Sequence, residues 1–122
     1  MSCLFNSLSN FINLDSYNIR QKICNYLENN QPIIEGIDTD LILSLDSSKD
    51  DYINNMRSTS TWGGAIEIQA ACNLWSLRII IINIRNLPNT QIEFLPLSNN
   101  YTHTIKISWN GYHYEPISCT KM

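Results

Sequence analysis

The stretch Thr61–Arg85, TWGGAIEIQAACNLWSLRIIIINIR, decides how the rest of this 122-residue chain is arranged. It opens on Trp62 followed by Gly63 and Gly64. It then runs from Ala65 to Leu77 almost without helix breakers, and it closes on Ile79, Ile80, Ile81, Ile82 and Ile84. Apolar residues on more than one face predict a buried helix. A β-branched run without polar alternation predicts a strand covered on both faces. The segment reads as glycine turn, central helix and central strand, with the paired glycines allowing close backbone approach or positive φ. Glu67 falls in the first turn of the helix, where a carboxylate suits the macrodipole. Cys72 lies mid-helix and is expected to be buried and inert.

On the N-terminal side, Cys3 starts a second helical pattern. Leu4, Phe5, Leu8, Phe11 and Ile12 share one face, which puts Cys3 at a helix N-terminus. A free thiol, with a pKa of about 8.5, is only slightly ionised at neutral pH, and a helix N-terminus favours the thiolate. Asp15 or Ser16 caps the next helix, whose apolar face is Ile19, Ile23, Tyr26 and Leu27 and which Asn29, Asn30 and Pro32 end. Cys24 reads as a buried small hydrophobe and Arg20 as a solvated charge. Residues 33–45 carry Ile34, Ile37, Leu41 and Leu45 at helical spacing, interrupted by Gly36. The polar run Asp46 to Asp51 reads as a loop that could attract a basic peptide. Asp50 or Asp51 would cap a short helix with Tyr52, Ile53 and Met56.

On the C-terminal side, Asn86–Asn89 is expected to turn the chain. Ile92 and Phe94 form a strand that Pro96 stops, and 97–101 is a loop. Ile105, Ile107 and Trp109 alternate with Lys106 and Ser108 ahead of Asn110-Gly111, a two-residue hairpin signal. That turn would pair Trp109 with Tyr112 and Ser108 with His113, and Pro116 would end the pairing. Period two puts His113 and Glu115 on one face. A carboxylate there can fix the imidazole tautomer and stabilise its cation.

Composition narrows the alternatives. The chain suits one compact domain. A net charge of −3 without a basic stripe argues against nucleic acid. There is no signal-peptide pattern and no apolar run of membrane-spanning length. Cys3, Cys24, Cys72 and Cys119 form no C-x-x-C pair, which argues against a zinc site and fits a reduced, intracellular protein. Nucleophilic cysteine chemistry needs a thiolate, a histidine to pair with it and a group to orient that histidine. Cys3, His113 and Glu115 supply those types. His103 is the alternative base; it precedes the hairpin strand and lacks a carboxylate two residues on, so it ranks below His113.

The order of several blocks adds a family resemblance. Cys3-Leu4-Phe5-Asn6-Ser7-Leu8 resembles the Cys-Leu-Phe-x-x-Leu block of the ovarian-tumour (OTU) cysteine proteases. Arg20, Ile23 and Tyr26-Leu27 resemble that family's next helix. Tyr52 with Met56, then Trp62-Gly63-Gly64 with Glu67-Ile68, are similar to its Tyr-x-x-x-Met and Trp-Gly-Gly-x-x-Glu-Leu blocks. Ile79 to Ile82 resembles its central strand, and His113-Tyr114 its His-aromatic pair. The resemblance implies an α/β (α+β) papain-like OTU fold, a small central sheet with helices around it, forming a single domain over 1–122. It implies hydrolysis of isopeptide bonds after the C-terminal glycines of ubiquitin or a ubiquitin-like protein. Cys3 would be the nucleophile, His113 the base and then the acid, and Glu115 the orienting residue, with Trp62 and the glycines structural and near the site.

Two departures accompany it. Glu115 stands where many members carry Asp or Asn. Met1 and Ser2 stand where the family carries Asp-Gly-Asn or similar, a loop that donates to the oxyanion hole. The expectation is then either weak activity or a second donor from another loop, since losing one donor costs about two to three orders of magnitude. Alternative readings are a catalytically weak or inactive ubiquitin-binding module and a viral polyprotein-processing protease. OTU domains occur in viruses, and size and composition would suit one. The expected partner is ubiquitin or a ubiquitin-like protein on conjugated substrates, with no nucleic acid, membrane, metal or organic cofactor. The protein is expected to be a cytoplasmic monomer, in the host cytoplasm if viral.

Overall fold

The computed structural model describes residues 2–45, 48–85 and 88–121. Among the described residues, five helices precede and flank a four-stranded sheet: α1 (Cys3–Ser9), α2 (Ser16–Glu28), α3 (Thr39–Leu43), α4 (Lys49–Arg57) and α5 (Ala65–Trp75), then β1 (Leu77–Asn83), β2 (Thr90–Phe94), β3 (His103–Trp109) and β4 (Tyr114–Lys121). The strand order is β2-β1-β3-β4. β1 runs parallel to β3, and the other two pairings are antiparallel.

The isoleucine run is the central strand, with Ile79, Ile80 and Ile81 all buried. The helix before it ends at Trp75, two residues short of the expected Leu77. Ser76 takes the left-handed conformation at φ 53°, its N–H bonds the Cys72 carbonyl, and Leu77 already belongs to β1. Ile84 lies beyond the strand and is exposed. α5 packs on β1 and β2, α1 packs on β4, and α2 sits among α1, α4 and α5. Gln69 Nε2 donates to the Leu95 carbonyl at 2.7 Å, and Asn73 Oδ1 accepts the Leu97 N–H at 3.0 Å. These side chains of α5 tie down the connection that carries the chain from edge strand β2 across to β3.

Neither glycine of the Trp-Gly-Gly block has positive φ. Gly63 is there for proximity: a Cβ on it would meet Leu4 Cδ2 at 2.8 Å and the Phe5 ring at 3.0 Å. The turn therefore lies directly on α1. Gly64 caps α5, its N–H donating to Glu67 Oε1 at 2.7 Å. Glu67 is 1% exposed and also accepts the Tyr52 hydroxyl at 2.6 Å. Beyond suiting the dipole, it joins α4 to the start of α5. Burial raises its pKa, and the hydrogen bonds from Tyr52 and Gly64 act the other way.

Several helical expectations are corrected. α1 stops at Ser9, although Phe11 and Ile12 still bond the Leu8 carbonyl and Ile12 is buried. Residues 33–45 form no continuous helix. Gly36 sits at φ +82° beside an Ile34–Ile37 bridge, and α3 begins only at Thr39. Ile34, Ile37, Leu41 and Leu45 are consequently exposed. α2 is capped by Asp15, which accepts the Asn18 N–H, and α4 by Ser48, which accepts the Asp51 N–H. Lys49, Asp50 and Asp51 are thus helical and not loop. Asp46 and Ser47 of that run, and Asn86 and Leu87 of the expected turn, lie outside the described residues. Arg20 is the largest correction: it is 1% exposed. Its Nη1 donates to the Met56 carbonyl at 2.7 Å, and its guanidinium lies 4.2 Å from the centroid of the Phe5 ring.

All four cysteines are free. Cys24 and Cys72 are fully buried, and burial pushes their thiols up to about 11 and about 12. At pH 8 such groups are thiolate about one part in a thousand or less, and the thiolate is the reactive form. Brief iodoacetamide treatment of the folded protein should therefore label the half-buried Cys3 and the exposed Cys119 while sparing Cys24 and Cys72. Peptide mass spectrometry checks this, and early labelling of Cys72 would contradict the packing of α5 on the sheet.

Candidate active site

Cys3 is the first residue of α1, and Ser2 precedes it as the N-cap residue. The first N–H groups of a helix have no intrahelical acceptor. Cys3 thus stands at the positive end of the helix. Residues three, four and seven positions on, Asn6, Ser7 and Asn10, share its helix face and line one wall of an open cleft of about 500 Å³. The opposite wall is His113, Tyr114, Glu115 and Pro116. The sequence-predicted residues Cys3, His113 and Glu115 are therefore brought to one cleft from opposite ends of the chain.

The hairpin that delivers the histidine differs in register from expectation. Trp109 pairs with Tyr114, and Ser108 with Glu115. The turn holds four residues, 110–113, in place of two. The reason is the Asn110 side chain, whose Oδ1 accepts both the Tyr112 N–H at 3.2 Å and the His113 N–H at 2.8 Å. The Asn110 N–H in turn donates to the His113 carbonyl at 3.2 Å. Asx-type bonding of this kind competes with a tight two-residue turn. Gly111, at φ +111°, lies so close to Arg85 that a Cβ would meet Arg85 Cδ at 2.8 Å. Because the slip is by two, the alternation of faces is unchanged. His113 Nε2 lies 3.4 Å from Glu115 Oε1, both side chains being well exposed. This contact leaves Nδ1 as the ring nitrogen for other partners.

Pro116 does not end the pairing. It sits opposite Ile107 at a bulge between Lys106 and Ile107, and β4 continues to Lys121. Proline is tolerated because β4 is an edge strand and the bulge disrupts the ladder there. His103 is the first residue of β3 and does not precede it. It stands at the opposite end of that strand from the turn, roughly 20 Å away at a strand's rise per residue, with Nδ1 2.9 Å from Thr102 Oγ1. It is not among the residues lining the cleft.

Tyr114, in the wall beside His113, also packs against Trp109. Its ring centroid is 6.4 Å from that of Trp109, over which the Arg85 guanidinium lies at 5.8 Å. Burial raises the Tyr114 pKa, with further contributions from the charges of Cys3 and Glu67. Asn6, Ser7 and Asn10 were legible as the polar face of α1 once Cys3 was placed on that helix. Among the described residues no group of three or more His, Cys, Asp or Glu side chains could hold a metal ion, and no helix is long and apolar enough to cross a membrane.

A family model described as OTU-like cysteine protease matches residues 2–115. The chain belongs to this family. Among curated OTU relatives, the ovarian tumor domain-containing deubiquitinating enzyme 9 of Arabidopsis thaliana is 29% identical over 121 residues, covering 95% of this chain and 32% of its own. Ubiquitin thioesterase OTU1 of Xenopus laevis is 26% identical over 73 residues, covering 60% of this chain and 23% of its own. The chain thus spans about a third or less of these relatives. A solved OTU domain in complex with ubiquitin superposes with a TM-score of 0.76 at 25% identity, covering 98% of this chain and 64% of that one. The viral OTU domain protease from Dera Ghazi Khan virus shares the fold, with a TM-score of 0.67 at 21% identity over 98% of this chain and 76% of that one. The papain-like OTU fold, a mixed sheet flanked by helices, is the fold of this protein.

Proposed function

We propose that residues 1–122 act as one cysteine isopeptidase domain that cleaves after the C-terminus of ubiquitin or a ubiquitin-like protein. The observation that carries this reading is the shared cleft, with Cys3 at the start of α1 on one side and the His113–Glu115 pair on the other. Ubiquitin is favoured as the partner because the solved OTU relative at 25% identity is a ubiquitin complex. In this reading Cys3 Sγ gives its proton to His113 and attacks the carbonyl carbon of the scissile bond. The carbonyl π electrons move to oxygen, and the oxyanion faces the Cys3 N–H at the head of α1. As the intermediate collapses the C–N bond breaks, and the imidazolium protonates the departing lysine amine. Water, deprotonated by His113, then attacks the thioester, and the C–S bond breaks to return the thiol and a free carboxylate. Glu115 orients the ring through Nε2.

Two small apolar pockets adjoin this cleft through shared residues. Tyr114 and Trp109 adjoin Ile92, Phe94 and Ala65, and Ala65 and Phe94 continue to Ile33, Ile34 and Ile42. Such a path suits an extended peptide tail with apolar side chains. The test is incubation with ubiquitin carrying a thiol-reactive group at its C-terminus, read by intact mass. One covalent ubiquitin, mapped to Cys3, is the expected result. A folded protein that binds ubiquitin without forming the adduct would overturn the isopeptidase reading and leave a binding module.

A further inference from the structure

We propose, resting on the assignment of Cys3 as nucleophile, that Arg20 is a positioning residue that holds the first turn of α1 from its interior side. Arg20 Nη2 donates to Ser2 Oγ at 3.3 Å, on the residue immediately before Cys3. Its guanidinium lies 4.2 Å from the centroid of the Phe5 ring, two residues after Cys3. Its Nη1 is anchored across the core on the Met56 carbonyl at 2.7 Å. One side chain thus contacts the side chains of Ser2 and Phe5, on either side of Cys3, and ties them to the end of α4. The same turn is closed by the Asn6 N–H on the Ser2 carbonyl at 2.7 Å, and Ser2 Oγ reaches the Thr59 carbonyl at 3.4 Å.

Filling volume does not account for this residue. Arg20 is 1% exposed, and burying a guanidinium is unfavourable unless its donors are matched. A leucine or methionine would occupy the space without that cost. What those residues lack is a planar fork that can bond two elements while its face lies on a ring. Burial lowers the Arg20 pKa, and the charges of Cys24 and the buried Glu67 act the other way. Reaction geometry is sensitive to such support, because misplacing a group by about 1 Å can cost a hundredfold in rate.

The experiment compares wild type, Arg20→Met, Arg20→Lys and Ser2→Ala. Hydrogen exchange at the Asn6 amide reads the first turn of α1 and does not depend on any ubiquitin chemistry. The rate of adduct formation at saturating thiol-reactive ubiquitin reads Cys3. Protection of Cys24 and Cys72 from alkylation reports that the core is intact. Arg20→Met is expected to speed exchange at Asn6 about tenfold and to slow the saturating rate ~10–100-fold while leaving half-saturation unchanged. Arg20→Lys should recover part of the rate, and Ser2→Ala should lose a smaller part. Unchanged exchange and unchanged saturating rate in Arg20→Met would overturn the proposal. If Arg20→Met instead exposes Cys24 and Cys72, Ser2→Ala decides, and wild-type exchange at Asn6 in that variant would overturn it. Absence of any adduct in wild type would count against the isopeptidase reading alone, since the exchange measurement still tests Arg20.

Discussion

Cys3→Ala is expected to abolish the covalent ubiquitin adduct and all isopeptide cleavage, and His113→Ala to lower turnover by about two to four orders of magnitude. The two effects differ in kind. Alanine at position 3 removes the thiol that forms the thioester in the proposed mechanism, and Cys119, though exposed, stands on β4 outside the lining of the cleft. Alanine at 113 leaves the thiol and the head of α1 in place, so a slow adduct persists while leaving-group protonation fails. His103 cannot substitute, because it lies at the far end of β3. Glu115→Gln should be the mildest change. The His113–Glu115 contact is 3.4 Å long, with side chains 48% and 68% exposed. Exposed pairs of this kind contribute about 0–1 kcal/mol, so a loss of at most about fivefold is expected. Steady-state cleavage of a fluorogenic ubiquitin substrate by the three variants provides the check. A fall for Glu115→Gln as deep as that for His113→Ala would mean that the carboxylate does more than orient the ring.

The second large effect concerns a residue with no chemistry of its own. Gly63→Ala should destabilise the fold by about 1–3 kcal/mol through overpacking, and it should slow adduct formation at least tenfold by moving the helix that carries Cys3. The new methyl would sit 2.8 Å from Leu4 Cδ2 and 3.0 Å from the Phe5 ring. Neither neighbour can swing into solvent, since Leu4 is 1% and Phe5 0% exposed. The relief must come from displacing α1. Gly64→Ala is the control. A Cβ there meets only Glu67 Oε1 at 3.9 Å, and at φ −146° the backbone suits any residue. The expected cost is under about 1 kcal/mol, reflecting the weaker N-cap preference of alanine. Urea unfolding and the adduct assay on both variants provide the measurement. Equal behaviour of the two would refute the close approach as the reason for glycine at 63.

How much of this was legible in the sequence follows the range of the forces involved. Local patterning placed Cys3 at a helix start, delimited α2, and identified the run Ile79–Ile82 with Ile84 as a strand buried on both sides, which holds for Ile79–Ile81 while Ile84 is exposed beyond the strand. The family blocks supplied the fold, and the period-two argument brought His113 and Glu115 together even though the pairing was two residues out. That error came from a side chain: Asn110 Oδ1 takes two backbone N–H groups and widens the turn. The apolar spacing of residues 33–45 failed because one glycine in the left-handed region ends the periodicity. Arg20 was misjudged because its partners are Met56, on α4, and Phe5, on α1. No local window contains them.

The two walls of the cleft come from residues about 110 positions apart in the chain, and this separation has a consequence during biosynthesis. Translation at about 5–20 residues per second leaves the thiol of Cys3 without its imidazole for roughly six to twenty seconds. Throughout that interval the helices through α5 can form, yet the hairpin holding His113 does not exist. If Cys3 and His113 work together as proposed, the emerging chain is latent by connectivity alone. On the proposed mechanism, activity waits for the hairpin between β3 and β4, so its onset would report that this part of the sheet has paired.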